Sequence, residues 1–124
     1  MTYTITLAQM AFHTHIGVYP EEKQIGQDLT IDLTLTIVAE PTNDDLTTTV
    51  NYGAIYDEIK TLVNQSRVDL IETLSQELLD LVLDIDQRIL EATITINKMG
   101  LPIDGILDHV AVTLNRKRGG DGHA

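Results

Sequence analysis

A lysine occupies an unusual position in this chain, at the end of an alternating apolar segment. In Glu91-Ala-Thr-Ile-Thr-Ile-Asn-Lys98, apolar side chains recur at every second position, as in a β-strand, and Lys98 falls next on the same face. A cation that continues an apolar row can pack its stem but needs a partner for its head group. Lys98 is therefore a candidate for acid/base chemistry. The alternative is a strand-end lysine whose head group reaches solvent.

Other polar side chains lie near the ends of predicted elements, where functional sites are usually assembled. Each has a simpler structural explanation as a solvated loop acid, an amphipathic helix residue or a helix cap. Asp69, followed three residues later by an acid, predicts a capping box at the start of the second helix. Together, acids, a phenol and a lysine could hold a polar ligand and move protons. These candidates are Glu21, Glu22, Tyr52 and Glu72.

Motifs for metals, nucleotides and nucleophiles are weak or absent in the sequence. His13 and His15 would share one face of a strand and could be metal ligands, but no second ligand pair occurs at a recognised spacing. The sequence contains no G-x-G-x-x-G, P-loop or G-x-S-x-G motif. We therefore expect no metal and no cofactor.

Composition excludes several classes of partner. The formal net charge of −11 opposes nucleic acid or an anionic membrane, and the one cation cluster is Arg116-Lys117-Arg118. The absence of cysteine rules out disulfides and thiolate metal sites. The N-terminal segment lacks a basic region followed by an apolar run, and no apolar stretch approaches the length of a membrane span. A soluble cytoplasmic protein is the expectation.

Hydrophobic periodicity predicts secondary structure in the order ββααββ. Strands are predicted at 3–7 (which could continue to 16), 28–38, 90–98 and 110–115, and the helices follow a cap at Asn51 and the segment around Asp69. This order fits an α+β fold with an antiparallel sheet and two helices on one face. We expect a single domain over residues 1–118 and a flexible tail over 119–124.

The second face of every predicted strand is rich in threonine and almost free of charge. Such a face is too polar for a helix-covered core, yet a solvated sheet would usually carry more Lys and Glu. It suits the lumen of a wide barrel built by several subunits, and barrel closure would also remove the sheet edges. We therefore expect a homo-oligomer. The threonines are Thr2, Thr4, Thr6, Thr30, Thr34, Thr36, Thr93, Thr95 and Thr113.

Four motifs in register resemble the bacterial dihydroneopterin aldolases. They are Ile16-Gly-Val-Tyr-Pro-Glu-Glu-Lys-Gln-Ile-Gly-Gln27, Thr49-Val-Asn-Tyr-Gly53, Val68-Asp-Leu-Ile-Glu72 and Thr95-Ile-Asn-Lys98. The resemblance implies the tunnelling fold, in which ββααββ subunits form a tetrameric barrel and two rings stack into an octamer. It also implies a homo-oligomer with active sites between subunits.

The activity implied by the resemblance is retro-aldol cleavage of 7,8-dihydroneopterin in folate biosynthesis. The products would be 6-hydroxymethyl-7,8-dihydropterin and glycolaldehyde, and the same chemistry allows a 2′-epimerase side activity. The family needs no metal and forms no Schiff base, because the C6=N5 imine of the pterin can accept the electrons of the broken bond.

Site residues follow from the same resemblance. Glu72 matches the glutamate that anchors the pterin, by accepting paired hydrogen bonds from its amino-pyrimidine edge. Main-chain groups near Ile71 and Val50 would complete ring recognition.

Three catalytic roles are also implied. Lys98 matches the general acid/base lysine of the family. Tyr52 matches the tyrosine that exchanges a proton with the 6-substituent, and Glu22 matches the acid that closes the site and contacts the substrate.

Other functions remain open at the level of sequence. One is a dihydroneopterin triphosphate 2′-epimerase, which would need a basic patch for the triphosphate. Another is a zinc-dependent pterin synthase of the same fold with His13 and His15 as ligands. A third is a non-catalytic ring-forming protein that keeps only the pocket.

Overall fold

The computed structural model describes residues 1–100 and 105–119. Four antiparallel strands form one sheet whose strand order follows the chain. The predicted α+β class and the predicted element order are confirmed, with one short helix added in the first loop. The predicted tail at 119–124 lies outside the described residues, apart from Gly119. The elements are β1 (Thr2–Thr14), α1 (Pro20–Gln24), β2 (Gln27–Val38), a 3-10 turn (Leu46–Thr48), α2 (Tyr52–Gln65), α3 (Ile71–Ile85), β3 (Ile89–Met99) and β4 (His109–Lys117).

One face of the sheet is apolar and is covered by the two long helices. α2 packs against β1 and α3, whereas α3 packs against β3 and β4. In β2, every second side chain from Leu29 to Ile37 is 1% exposed or less, as the two-residue period of a strand requires. α2 contributes Ile55, Ile59 and Val63 to the same core, so apolar burial joins the helices to the sheet.

The first strand changes the side chains that it buries part-way along its length. Odd-numbered side chains up to Leu7 and even-numbered ones from Met10 pack on the core. The register with β2 shifts between these two residues, because one extra residue forms a β-bulge. Gln9 in the bulge has a φ of 55°, and its N–H donates to Asp32 Oδ1 over 2.8 Å. The bulge lets the strand continue and leaves His13 exposed on the opposite face.

The two long helices begin in different ways. Asn51 caps α2 as predicted, since its Oδ1 accepts a hydrogen bond of 3.1 Å from the N–H of Ala54. The predicted capping box at α3 is wrong, because the N-cap is Leu70 and no side chain caps it. Asp69 instead forms an ion pair with Lys23 in α1. Helix capping therefore does not explain Glu72.

The threonine-rich face of the sheet carries no helix in the described part of the chain. Its side chains hydrogen-bond across the strands, with Thr95 Oγ1 2.8 Å from Thr113 Oγ1 and the Nδ2 of Asn97 donating to Thr30 Oγ1 over 3.1 Å. Cross-strand pairs of this type stabilise a sheet. The oligomeric barrel stays a prediction. Among the described residues, no helix is both long enough and apolar enough to cross a membrane.

Candidate active site

A buried ion pair joins the end of β3 to α1. Lys98 lies opposite Leu29 of β2 and follows the apolar residues of β3 on the helix-covered face. Its Nζ lies 2.5 Å from Oε2 of Glu22, and the two side chains are 12% and 1% exposed. Because a buried charge is costly without a partner, each residue depends on the other. Lys98 is thus a paired, buried cation and does not extend into solvent.

Glu22 is held by the backbone of its own loop. The N–H of Tyr19 donates to Oε1 over 3.1 Å, while Glu22 donates its own N–H to the carbonyl of Tyr19 over 3.0 Å. Oε2 forms the ion pair with Lys98, is almost completely buried, and accepts no hydrogen bond from any other group among the described residues. Within the described residues, Oε2 therefore depends on the ammonium of Lys98 to balance its charge. Neighbouring Glu21 is exposed.

Glu72 faces the same cleft as Lys98. The cleft has a volume of about 160 Å³ and is bounded by the start of α3, the end of β3 and the start of β4. Ile71 and Glu72 form its helical edge, with Ile71 4% exposed and Glu72 exposed. Apolar walls come from Val18, Val110 and Val112. The cleft is smaller than a typical small-molecule site of about 300–1,000 Å³, so one chain alone encloses only part of a ligand.

Val50 and Tyr52 lie at the other end of the fold. Thr49, next to Val50, hydrogen-bonds through its hydroxyl to Tyr3, which pairs with Ile37 of β2. The partner of Lys98 in β2 is Leu29. Those two β2 positions are about 26 Å apart at roughly 3.3 Å per residue. Within one chain, therefore, the structure brings together Glu22, Ile71, Glu72 and Lys98. Val50 and Tyr52 lie far from them.

Tyr52 is nevertheless accessible. Its side chain starts α2 and is 60% exposed, whereas Val50 is 2% exposed. An exposed phenol at a helix start can contact another molecule. Neither residue lines the cleft of its own chain.

The two histidines are engaged in hydrogen bonds of the first loop. His13 Nδ1 lies 2.7 Å from Asp28 Oδ1, and its Nε2 lies 3.1 Å from the carbonyl of Ile25. His15 Nδ1 donates to the carbonyl of Lys23 over 3.0 Å. The hydrogen bond to Asp28, reinforced by the one to Ile25, raises the pKa of His13 above its usual 6.5. With both ring nitrogens engaged, His13 has no lone pair for a metal, and the described residues contain no cluster of three metal-ligating side chains.

The model of the dihydroneopterin aldolase family matches residues 5–115 of this chain. The chain belongs to the dihydroneopterin aldolase family. Its sequence is 34% identical over 111 residues to a dihydroneopterin aldolase of Bacillus subtilis, covering 88% of this chain and 92% of that protein. A Staphylococcus epidermidis dihydroneopterin aldolase is 33% identical over 119 residues, with coverage of 94% and 98%.

Solved structures of dihydroneopterin aldolases share the fold. One is the Escherichia coli enzyme in complex with neopterin, with a TM-score of 0.78, 24% identity and coverage of 92% of this chain and 98% of that chain. Another is a Burkholderia dihydroneopterin aldolase bound to guanine, with a TM-score of 0.76, 19% identity and coverage of 94% and 92%. At these identities the likeness establishes the tunnelling-fold subunit.

Several residues of this dihydroneopterin aldolase-like site were not singled out by sequence. Gly17 lies against Glu22 so closely that a Cβ atom would overlap the carboxylate, and the Gly/Pro pattern of its loop was the available signal. Val18 and Val110 both line the cleft. The sequence marks them only as a residue of the first loop and a residue of the last strand. The pairing of Lys23 with Asp69 is a contact between distant segments that local periodicity does not report.

Proposed function

We propose that this chain cleaves 7,8-dihydroneopterin by a metal-independent retro-aldol reaction, yielding 6-hydroxymethyl-7,8-dihydropterin and glycolaldehyde in folate biosynthesis. Membership of the dihydroneopterin aldolase family supports the reaction class. The single observation that carries the proposal at the site is that Lys98, paired with the buried Glu22, lines the same cleft as Glu72. This arrangement combines an acid/base pair with a separate anchoring carboxylate.

Glu72 is proposed to anchor the pterin ring. Glu72 lies in the first turn of α3, is exposed, and makes no side-chain hydrogen bond that caps the helix. Its two carboxylate oxygens can therefore accept two parallel hydrogen bonds. The amino-pyrimidine edge of a pterin presents two adjacent N–H donors that match such a carboxylate. Main-chain groups at Ile71, and at Val50 of a second chain, would contact the rest of the ring.

The chemistry requires only proton transfers from the protein. The bond that breaks joins C1′ and C2′ of the side chain. Loss of the 2′-hydroxyl proton turns C2′ into the aldehyde carbon of glycolaldehyde, while the electron pair of the bond moves into the C6=N5 imine. N5 takes up a proton as the enamine forms and releases it when C1′ is protonated. The protein therefore accepts and returns protons at fixed positions.

We assign these transfers to Lys98 and Glu22. The lysine sits between the acid and the cleft that Glu72 borders, so it can exchange a proton with N5 and the side-chain hydroxyls. Burial of the pair excludes water and strengthens its interaction with developing charge. Tyr52 is proposed to exchange a proton with C1′ of the 6-substituent.

A second chain is needed to complete this site. Tyr52 and Val50 lie at the opposite end of the sheet from Lys98, and α2 spans about 21 Å at 1.5 Å per residue. We therefore propose a homo-oligomer, a tetrameric barrel or an octamer of two such rings, in which the Tyr52 end of one subunit meets the Lys98 end of its neighbour. The threonine-rich face would then line the lumen.

The test is incubation of the purified protein with 7,8-dihydroneopterin in the presence of a metal chelator. Release of glycolaldehyde and 6-hydroxymethyl-7,8-dihydropterin is expected at the same rate with and without chelator. Appearance of the 2′-epimer in the same mixture would reveal the side activity. Turnover that required added zinc, or that occurred only with the triphosphate, would contradict the proposal.

A further inference from the structure

Lys23 joins α1 to the segment that precedes α3. Its Nζ lies 2.7 Å from Oδ1 of Asp69 and donates to the carbonyls of Arg67 and Val68 over 3.0 and 3.4 Å. Those three acceptors belong to the segment that leads into α3. The ammonium group thus satisfies its three N–H donors on one short stretch of chain.

The contact between Lys23 and Asp69 links two segments that carry candidate site residues. Lys23 follows Glu22 in α1, while Asp69 lies three residues before Glu72. Among the described residues, the hydrogen bonds and ion pairs between α1 and the segment 66–70 all come from Lys23. The other side of α1 is fixed by His15, which donates to the carbonyl of Lys23 over 3.0 Å.

We infer that Lys23 is a positioning residue that fixes Glu22, and through it the alignment of the Glu22–Lys98 ion pair, relative to the pterin anchor Glu72. This inference rests on the proposed function, because it assigns the two sides of the cleft to proton transfer and to ring binding. Catalysis demands that the ring and the acid/base pair stand in a defined geometry, and a displacement of about 1 Å can cost roughly 10²-fold in rate. Lys23 itself does not line the cleft.

If Lys23 has this role, its loss should affect turnover and ring binding differently. An unsubstituted pterin contacts the anchor Glu72 and the start of α3, so its affinity depends little on where α1 stands. Cleavage requires both sides of the cleft at once. Loss of Lys23 should therefore lower kcat while leaving the affinity for the bare ring almost unchanged.

The experiment compares K23M with K23R and D69N in the full chain. K23M keeps the apolar stem but removes the cation, K23R restores a cation that can reach the same acceptors, and D69N removes the charge of the main partner. K60M is the matched control, because Lys60 is an exposed lysine of α2 that makes no ion pair among the described residues. The measurements are kcat and KM for 7,8-dihydroneopterin, the Kd of unsubstituted pterin and the thermal unfolding midpoint.

We expect K23M to lower kcat by about 10-fold or more, with pterin Kd within about twofold. The unfolding midpoint should change little, since the ion pair is partly exposed to solvent and such pairs contribute little to stability. K23R should recover most of the rate, D69N should be intermediate, and K60M should match the wild type. Equal kcat in K23M and the wild type would overturn the positioning role, as would a proportional loss of pterin affinity, which indicates local unfolding. An inactive wild-type protein would overturn both this inference and the proposed function.

Discussion

Gly17 lies directly against the buried carboxylate of Glu22, and a Cβ atom at position 17 would overlap its Cδ and Oε1. Gly17 also has a backbone φ of 152°, a conformation that residues other than glycine rarely adopt. The glycine therefore permits the close packing that holds Glu22 at Lys98. The geometry of the Glu22–Lys98 ion pair therefore depends on a glycine at position 17.

Replacement of Gly17 by alanine should displace Glu22 from Lys98. We expect G17A to reduce kcat by about 10-fold or more, because the acid/base pair loses its alignment. The matched control is G105A, since a Cβ atom at Gly105 would meet nothing within 4 Å. Steady-state kinetics on 7,8-dihydroneopterin measure the effect, and wild-type kcat in G17A would show that the site tolerates movement of Glu22.

Removal of the Lys98 ammonium should abolish proton transfer without abolishing ring binding. We expect K98M to lower the chemical step by about 10²–10⁴-fold, the usual range for a lost general acid/base, while the affinity for pterin is retained. Single-turnover kinetics and pterin titration measure the two effects separately. A K98M protein that turned over at the wild-type rate would refute the assigned role.

The effect of K98M on stability must be measured separately from its effect on the rate. Loss of Lys98 leaves the carboxylate of Glu22 buried and unpaired, which can cost up to about 3–5 kcal/mol. The double variant K98M with E22Q removes both charges and should unfold at a higher temperature than K98M alone. Retained pterin binding in the double variant would show that the lost rate reflects chemistry.

Glu72 should control affinity for the ring. E72Q keeps the shape of the side chain but replaces an acceptor oxygen with a donor, so one of the two paired hydrogen bonds is lost. We expect pterin Kd to rise by about 10–100-fold, equivalent to roughly 1.5–3 kcal/mol for a charge-assisted hydrogen bond. Isothermal titration with pterin is the measurement. E77Q, at an exposed position of the same helix, should bind like the wild type, and equal affinity of E72Q would remove Glu72 from the site.

The sequence predicted those parts of the site that local patterns report. Lys98 continues a two-residue apolar period, so its burial follows from the strand itself. The cap at Asn51 follows from residue type and position in the same way. Both predictions depend only on neighbours in the chain.

Features that depend on distant contacts were missed or predicted wrongly. Asp69 has the type and spacing of a capping residue, yet the ammonium of Lys23 competes for its carboxylate from more than 40 positions away. The bulge at Gln9 was readable in principle, because the apolar side chains of β1 change from odd to even positions. The position of Glu22 at Lys98 could not be read from periodicity, since it depends on how the loop folds back onto the sheet.

The His13–Asp28 pair should make stability depend on pH. The hydrogen bond to Asp28 raises the pKa of His13 above 6.5 in the folded protein. A group whose folded pKa is raised contributes stability that is fully present below its unfolded pKa and is lost as pH rises through the folded value. We expect D28N to lower the unfolding midpoint at about pH 5.5 and to have little effect at about pH 9. An equal difference at both pH values, measured by thermal denaturation, would rule out titration of His13 as the cause.

The most decisive prediction concerns how the site is divided between chains. If Lys98 comes from one subunit and Tyr52 from its neighbour, then Y52F and K98M damage different halves of every site. A mixed oligomer contains sites in which the intact Lys98 of a Y52F chain meets the intact Tyr52 of a K98M chain. Random mixing at equal amounts should restore roughly a quarter of wild-type activity, since each site draws one residue from each of two chains.

The measurement is the rate of glycolaldehyde release after the two inactive variants are refolded together. Each variant refolded alone, and the Y52F/K98M double variant mixed with either, provide the baselines. Recovery that appears only on co-refolding would require a site built from two chains, as the distance between the two ends of the sheet implies. Activity equal to the sum of the separate variants would mean that one chain supplies the whole site, and the role of Tyr52 would then have to pass to a residue at the Lys98 end.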